Sequence, residues 1–158
     1  MERNDLITET VGKGKYPDYT INQVFHNIYK VGKTEFEEIS NIKKELKQDL
    51  TNNWGKINSL TLLELQKSDQ VEKFLFSTRD NEKIESVLMK YKPNKIRDYV
   101  HKALCMSTQI GCAMGCKFCA TGAIGLKRNM TATEIVDQLL YFVQNEININ
   151  TIFFSGMG

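Results

Sequence analysis

The sequence predicts an α+β chain: a small helical bundle with a β-hairpin, followed by a strand–loop–helix–strand unit. Three observations lead there. Apolar residues recur with a helical period between residues 20 and 50. The period shortens toward two between residues 60 and 91. From residue 103 a strand, a Gly-rich loop, an amphipathic helix and a second apolar run follow in order. With 158 residues, 41% hydrophobic and 25% charged, and only 2 Pro, the composition is that of a globular chain, not a disordered or collagen-like one. No apolar run approaches the ~18 residues that span a bilayer. The polar start, Met1-Glu2-Arg3-Asn4-Asp5, has no h-region of a secretory signal, which places the expected chain in the cytoplasm.

Residues 1–16 carry no periodic signal and read as a loose arm or a frayed first helix. Ile21, Val24, Phe25, Ile28 and Tyr29 then form one apolar stripe, opened by the capping pair Thr20 and Gln23. Thr34 and Glu37 repeat that device, and Ile42, Leu46 and Leu50 form a third stripe stopped by Gly55. Leu60–Lys67 reads as a strand, and residues 70–91 as a hairpin turning at Asp80-Asn81. In the return strand Glu85 shares a face with Val87, Met89 and Tyr91. A carboxylate there is either solvated on a half-exposed face or poised to move protons. Residues 92–102, with Pro93, read as the linker between a domain 1–91 and a second part, 103–158. Ala103–Gln109 is a strand and Ile110–Asn129 a long loop. Thr131 and Glu134 cap a helix with a broad apolar stripe, and Ile152-Phe153-Phe154 reads as a strand buried on both faces. The two strands of this unit are expected to be parallel.

Charge is uneven. Residues 1–80 hold 12 basic and 13 acidic groups, residues 81–130 hold 9 and 3, and residues 131–158 hold none and 3. The basic segment contains all four cysteines: Cys105, Cys112, Cys116 and Cys119. A basic loop is either solvated or faces a polyanion, and Lys117, Lys127 and Arg128 fit both readings. Four cysteines within 15 residues are too crowded for a disulfide framework and point to a metal or redox role. Cys112, Cys116 and Cys119 have the spacing C-x3-C-x2-C. Three thiolates from one loop hold three irons of a cubane cluster and leave the fourth open. A structural zinc site closes four positions, and here Cys105, His101 or a distant group would have to supply the last.

The string from Cys105 through Cys112, Cys116, Phe118 and Cys119 to Gly122, with Gly125–Asn129 and Thr133–Gln138, resembles the RlmN/Cfr family of radical S-adenosylmethionine RNA adenine methyltransferases. Ile84–Met89, Pro17–Tyr19 and Phe154–Gly158 extend the resemblance over nearly the whole chain. It implies that the second part is the first βαβ unit of a partial (β/α)6 barrel. It implies that Cys112, Cys116 and Cys119 ligate a [4Fe–4S] cluster whose open iron binds S-adenosylmethionine. Phe118 matches the loop aromatic near that cofactor, and Gly156-Met157-Gly158 matches the turn that binds its amino group. In the family a methylated cysteine near the C-terminus yields a carbon radical that adds to adenine of 23S ribosomal RNA. Cys105 matches the cysteine that resolves the resulting protein–RNA adduct, and Glu85 matches the proton acceptor.

The implied reaction is methylation at C2 of an adenosine, with transfer RNA as a second possible substrate and an electron donor such as flavodoxin as partner. The alternatives are C8 methylation of the Cfr kind, which gives antibiotic resistance, an inactive truncated product, and a zinc-bound RNA-binding module. The sequence departs from the family's pattern in length and lacks the methyl-carrying cysteine and the Glu after Gly158. The expectation is therefore of the front part of a longer protein.

Overall fold

Residues 3–12 are more regular than their pattern suggests. A computed structural model describes residues 2–12 and 14–158; Met1 and Lys13, inside the expected loose arm, lie outside the described residues. Helix α1, Arg3–Gly12, buries Leu6, Ile7 and Val11. Arg3 is buried too: its guanidinium donates to the Ile57 carbonyl at 2.6 Å and to Tyr29 Oη at 3.0 Å. A bonded arginine on the inner face breaks the apolar stripe, so the helix leaves little trace in the pattern.

The chain divides into two compact units, Met1–Ser59 with Leu140–Ile147, and Leu60–Leu139 with Asn148–Gly158. In the first, α1 is joined by α2, Tyr19–His26, which runs on through a π turn, Asn27–Val31, and by α3, Lys44–Trp54. Their stripes meet in a core of Ile7, Val24, Ile28, Leu46 and Leu50, joined by Leu140. The two expected N-terminal caps do not form. Residue 18 occupies the cap position of α2, without a side-chain cap bond, and Thr20 is buried. Glu38, not Glu37, accepts the Thr34 N–H, at 3.0 Å, beside a 3₁₀ turn at Phe36–Glu38.

The second unit is built on a mixed five-stranded sheet. Its strands are β1 (Thr61–Lys67), β2 (Val71–Ser77), β3 (Lys83–Tyr91), β4 (His101–Met106) and, at the end of the chain, β7 (Thr151–Phe154). They lie in the order β1-β2-β3-β4-β7. All neighbours are antiparallel except β4 and β7, which are parallel as the pattern required. Phe74, Phe76, Ile84, Leu88 and Leu104 form its buried face.

Three expectations change here. The hairpin is part of this sheet, because β3 pairs with β4 from Val87↔Cys105 to Tyr91↔His101, so the compact units divide at Ser59 and Leu60 and not at 92–102. The last strand is an edge, with Ile152 and Phe154 exposed, because only β4 flanks it. Residues 110–129 are not one loop. β5 (Gln109–Gly111) pairs with β6 (Leu126–Asn129), and a short helix α4 (Ala120–Ile124) sits between them.

Helix α5, Ala132–Gln144, starts where expected. The Glu134 N–H donates to Thr131 Oγ1 at 3.2 Å, and the Thr131 N–H donates to Glu134 Oε2 at 2.8 Å. Its first half, however, buries Thr133, Glu134, Asp137 and Gln138, while Val136 is exposed. The inner face of this half is polar where the sequence suggested an apolar stripe.

Candidate functional site in the second unit

A cleft of about 390 Å³ opens at one end of the second unit. Glu85 of β3, Gly111 of β5, Ile124 of α4, Lys127 of β6 and Met157 beyond β7 all line it. Each arrives for a local reason. Strand alternation sends Ile84, Ser86 and Leu88 into the core and leaves Glu85 on the opposite, half-buried face. There its carboxylate meets Lys73 Nζ of β2 at 2.6 Å, with both side chains about two-fifths exposed (41% and 37%). An ion pair so exposed is screened and loosely held. Glu85 is thus ion-paired, and it also borders a cleft.

Cys105 pairs with Val87 across β3 and β4. Directly opposed residues share a face, so Cys105 lies on the Glu85 side of the sheet, one diagonal step from it. It is 8% exposed and does not line the cleft. Burial pushes its thiol up from the usual range, partly offset by a hydrogen bond with the Ser155 backbone.

The cysteine loop is rooted at the cleft and extends away from it. Gly111 has φ +78°, and a Cβ there would lie 1.8 Å from the Gly125 carbonyl oxygen. Only glycine permits that approach. It lets the Cys112 N–H donate to the Gly125 carbonyl at 3.1 Å and close the base of the loop. Within it the Cys119 N–H donates to the Cys116 carbonyl at 3.0 Å, and Cys112 Sγ accepts from the Met114 N–H at 3.5 Å. The Cys119 thiol is held below its usual range by hydrogen bonds from the backbone of Gly122 and then of Thr121. Cys116 is exposed, and Phe118 is 94% exposed.

These residues suit an iron–sulfur cluster by chemistry: three soft donors on one loop, with backbone N–H groups aimed at two of the sulfurs. By geometry the side chains alone do not assemble it. Among the described residues no three His, Cys, Asp or Glu side chains are grouped to hold a metal.

The matched Gly156-Met157-Gly158 turn is tied to the end of β4. The Gly156 N–H donates to the Met106 carbonyl at 3.3 Å, and the Met157 carbonyl accepts from Thr108 and Gln109, each at 3.0 Å. A Cβ on Gly156 would fall 2.7 Å from Ser107 Oγ, so the residue must be small.

Two of the basic candidates are ion-paired. Lys127 pairs with Glu82 at 2.7 Å. Arg128 forks onto Asp80 at 2.9 Å and Glu134 at 2.8 Å, pinning β6 to the β2–β3 turn and to the start of α5. The Lys127 pair is as open to solvent as that of Glu85 with Lys73, whereas the Arg128 fork is more enclosed; the partners of both lie too far off in sequence to be read there. Lys117 remains exposed on the cysteine loop. Sequence reasoning gave no role to Ser107 and Gln138, both fully buried. The available signal was the polar pair Asp137-Gln138 inside an apolar helical stripe.

No family model matches the chain. It is 44% identical over 153 residues to the ribosomal RNA large subunit methyltransferase Cfr of Staphylococcus aureus, covering 96% of this chain and 42% of that protein. It is 42% identical over 153 residues to the protein of that name from Bacillus velezensis, again covering 96% and 42%. The structure resembles a radical SAM methyltransferase from Sphaerobacter thermophilus with a TM-score of 0.82 and 32% identity, over 100% of this chain and 46% of that one. The chain thus spans about two-fifths of the length of the curated relatives it matches, at 42%.

Proposed function

We propose that the chain belongs to the RlmN/Cfr type of radical SAM ribosomal RNA methyltransferases and carries the cluster-binding loop and half of the RNA-modifying site of such an enzyme. The observation that supports this most is spatial. The C-x3-C-x2-C loop is rooted at a cleft that Glu85 lines from β3 and Met157 from beyond β7, with Cys105 on the same sheet face as Glu85. Cys112, Cys116 and Cys119 would hold a [4Fe–4S] cluster. When bound with S-adenosylmethionine, that group supplies the one-electron chemistry an electrophilic adenine carbon requires.

The chain's own residues then have distinct roles. Gly156, Met157 and Gly158 would bind the cofactor's amino group, and Phe118 would pack near the cofactor from the loop. Glu85 accepts a proton from the modified base, its ion pair with Lys73 being exposed enough to open. Cys105, buried as a neutral thiol, resolves the protein–RNA adduct. The parallel β4–β7 pair joined through α5 supports a partial (β/α)6 barrel. The substrate is an adenosine of 23S ribosomal RNA. The carbon expected from sequence is C2, with C8 methylation of the Cfr kind as the alternative. Transfer RNA as a second substrate and a flavodoxin-type electron donor rest on the sequence resemblance.

Anaerobic reconstitution tests this reading. The chain should take up iron and sulfide in a 4:4 ratio, the composition of a cubane cluster. Alanine at Cys112, Cys116 or Cys119 should abolish uptake, and alanine at Cys105 should not. Bound zinc without iron would overturn the cluster. In a protein of the relatives' length, Cys105→Ala should stall as protein covalently joined to RNA, a band removed by ribonuclease. Loss of iron from Cys105→Ala would make Cys105 a ligand instead.

A further inference from the structure

Gln138 and Ser107 form a closed set of hydrogen bonds beneath the cleft. Both are fully buried. The Ser107 N–H donates to Gln138 Oε1 at 2.9 Å, and Gln138 Nε2 donates to the Ser107 carbonyl at 2.8 Å. A backbone N–H can only donate and a carbonyl can only accept, so the Ser107 backbone itself fixes which end of the carboxamide is which. Ser86 Oγ, on the buried face of β3, donates to the same Oε1 at 2.8 Å and locks the side chain. The Ser107 hydroxyl then works in two directions. It donates to the Glu85 backbone carbonyl at 2.7 Å and accepts the Met157 N–H at 3.0 Å.

We propose that Gln138 is a positioning residue: through Ser107 it holds the Glu85 backbone and the Gly156–Gly158 turn in one fixed relation. The roles of Glu85 and of the turn rest on the function proposed above; the clamp itself does not. Glu85 lies on β3 and Met157 follows β7, and β4 lies between those strands. Ser107, just past the end of β4, bonds to both. Ser107 lies just past the strand end, and its hydroxyl points correctly only if its backbone is held. A carboxamide bonded to both the N–H and the carbonyl of one residue ties down the two peptide planes that meet at its Cα, as paired bonds fix orientation as well as distance. Leu or Met at position 138 would fill the same space on α5 and leave that backbone free. A polar residue buried without charge in the centre of a helix face is thereby explained by what it orients.

The test is amide-resolved hydrogen exchange on the full chain, using Gln138→Met, Ser107→Ala and the double variant, with Leu50→Ala in the first unit's core as a destabilised control. Gln138→Met touches neither Met157 nor Glu85. It should nevertheless accelerate exchange of both the Ser107 and Met157 amides about tenfold or more. Ser107→Ala should do the same at Met157, and the double variant should add nothing, as coupled residues require. Leu50→Ala should leave both amides at the parent rate. Acceleration confined to Ser107, or spread evenly over β1 and β2, overturns the clamp. If Gln138→Met does not fold, Ser86→Ala decides, with a smaller acceleration at the same two amides.

In parallel, S-adenosylmethionine binding to the iron-reconstituted chain should weaken about tenfold in Gln138→Met with iron content unchanged. Unchanged binding contradicts positioning of the turn. A parent chain that takes up neither iron nor cofactor fails the proposed function instead, and the exchange result still decides the clamp.

Discussion

Ser107 and Cys116 are nine residues apart in sequence and at opposite extremes of burial. Ser107 is enclosed, with its N–H, carbonyl and hydroxyl all bonded to other strands or to α5. Cys116 is exposed, and the bonds inside its loop are short-range and mostly backbone. The chain fixes the first region by peptide geometry, where each donor meets a specific acceptor. It fixes only the base of the second, at Gly111 and Gly125. The contrast suits a site in which the protein positions proton acceptor and cofactor turn, while a cluster contributes its own rigid geometry to a loop of suitable donors.

The largest effect should come from the point where the two regions join. Gly111→Ala places a Cβ 1.8 Å from the Gly125 oxygen at a φ of +78°. The β5–β6 pair must then open, at a cost of at least about 2 kcal/mol by the usual size of such strain. Urea unfolding should show that loss, and the Cys112 amide should lose its protection. A variant as stable as the parent would mean that the loop base is not rigid.

A smaller effect concerns the ionic brace behind that base. The Arg128 guanidinium, aided by Thr78, holds Asp80 down to about 2. A carboxyl lowered in the folded state stabilises it fully above its unfolded pKa, about 4. That contribution is lost as pH falls from there through about 2. Burial pushes Glu134 the other way, but its bonds with Arg128 outweigh it and leave it lowered as well. Arg128→Ala should therefore cost about 1–2 kcal/mol at pH 7, allowing for partial exposure of the pairs. It should also flatten the fall in urea midpoint between pH 4 and pH 2. An unchanged acid limb would show that β6 is not braced through Asp80.

What could be read from the sequence follows the same division. Thr131 and Glu134 are three residues apart, and their cap formed as read; Glu85 was placed on its face by alternation alone; the cysteine spacing singled out the loop. Local geometry carries all of these. Features that depend on distant partners were not legible. Arg3 is inward because of Ile57, and Arg128 is paired because of Asp80, 48 residues away. The pairing of β3 with β4 crosses a nine-residue connection whose register no local pattern specifies. The polar face of α5 was misread because Gln138 looks like an interruption until Ser107 is seen opposite it.

The smallest effect sets two cysteines of the same short segment against each other. Cys119 is held low by backbone N–H groups, so at neutral pH more of it is thiolate. Cys105 is pushed up by burial and is also shielded within β4. Both terms act in one direction, so iodoacetamide at pH 7.5 should alkylate Cys119 about tenfold or more faster than Cys105. Tandem mass spectrometry over a time course resolves the two sites. Raising the pH should narrow the gap as Cys105 ionises, without closing it, because burial limits access at any pH. Equal rates at neutral pH would mean that β4 opens as readily as the loop. The sheet end could not then hold Glu85 and Met157 in register, and the contrast between the two regions would fail at its rigid side.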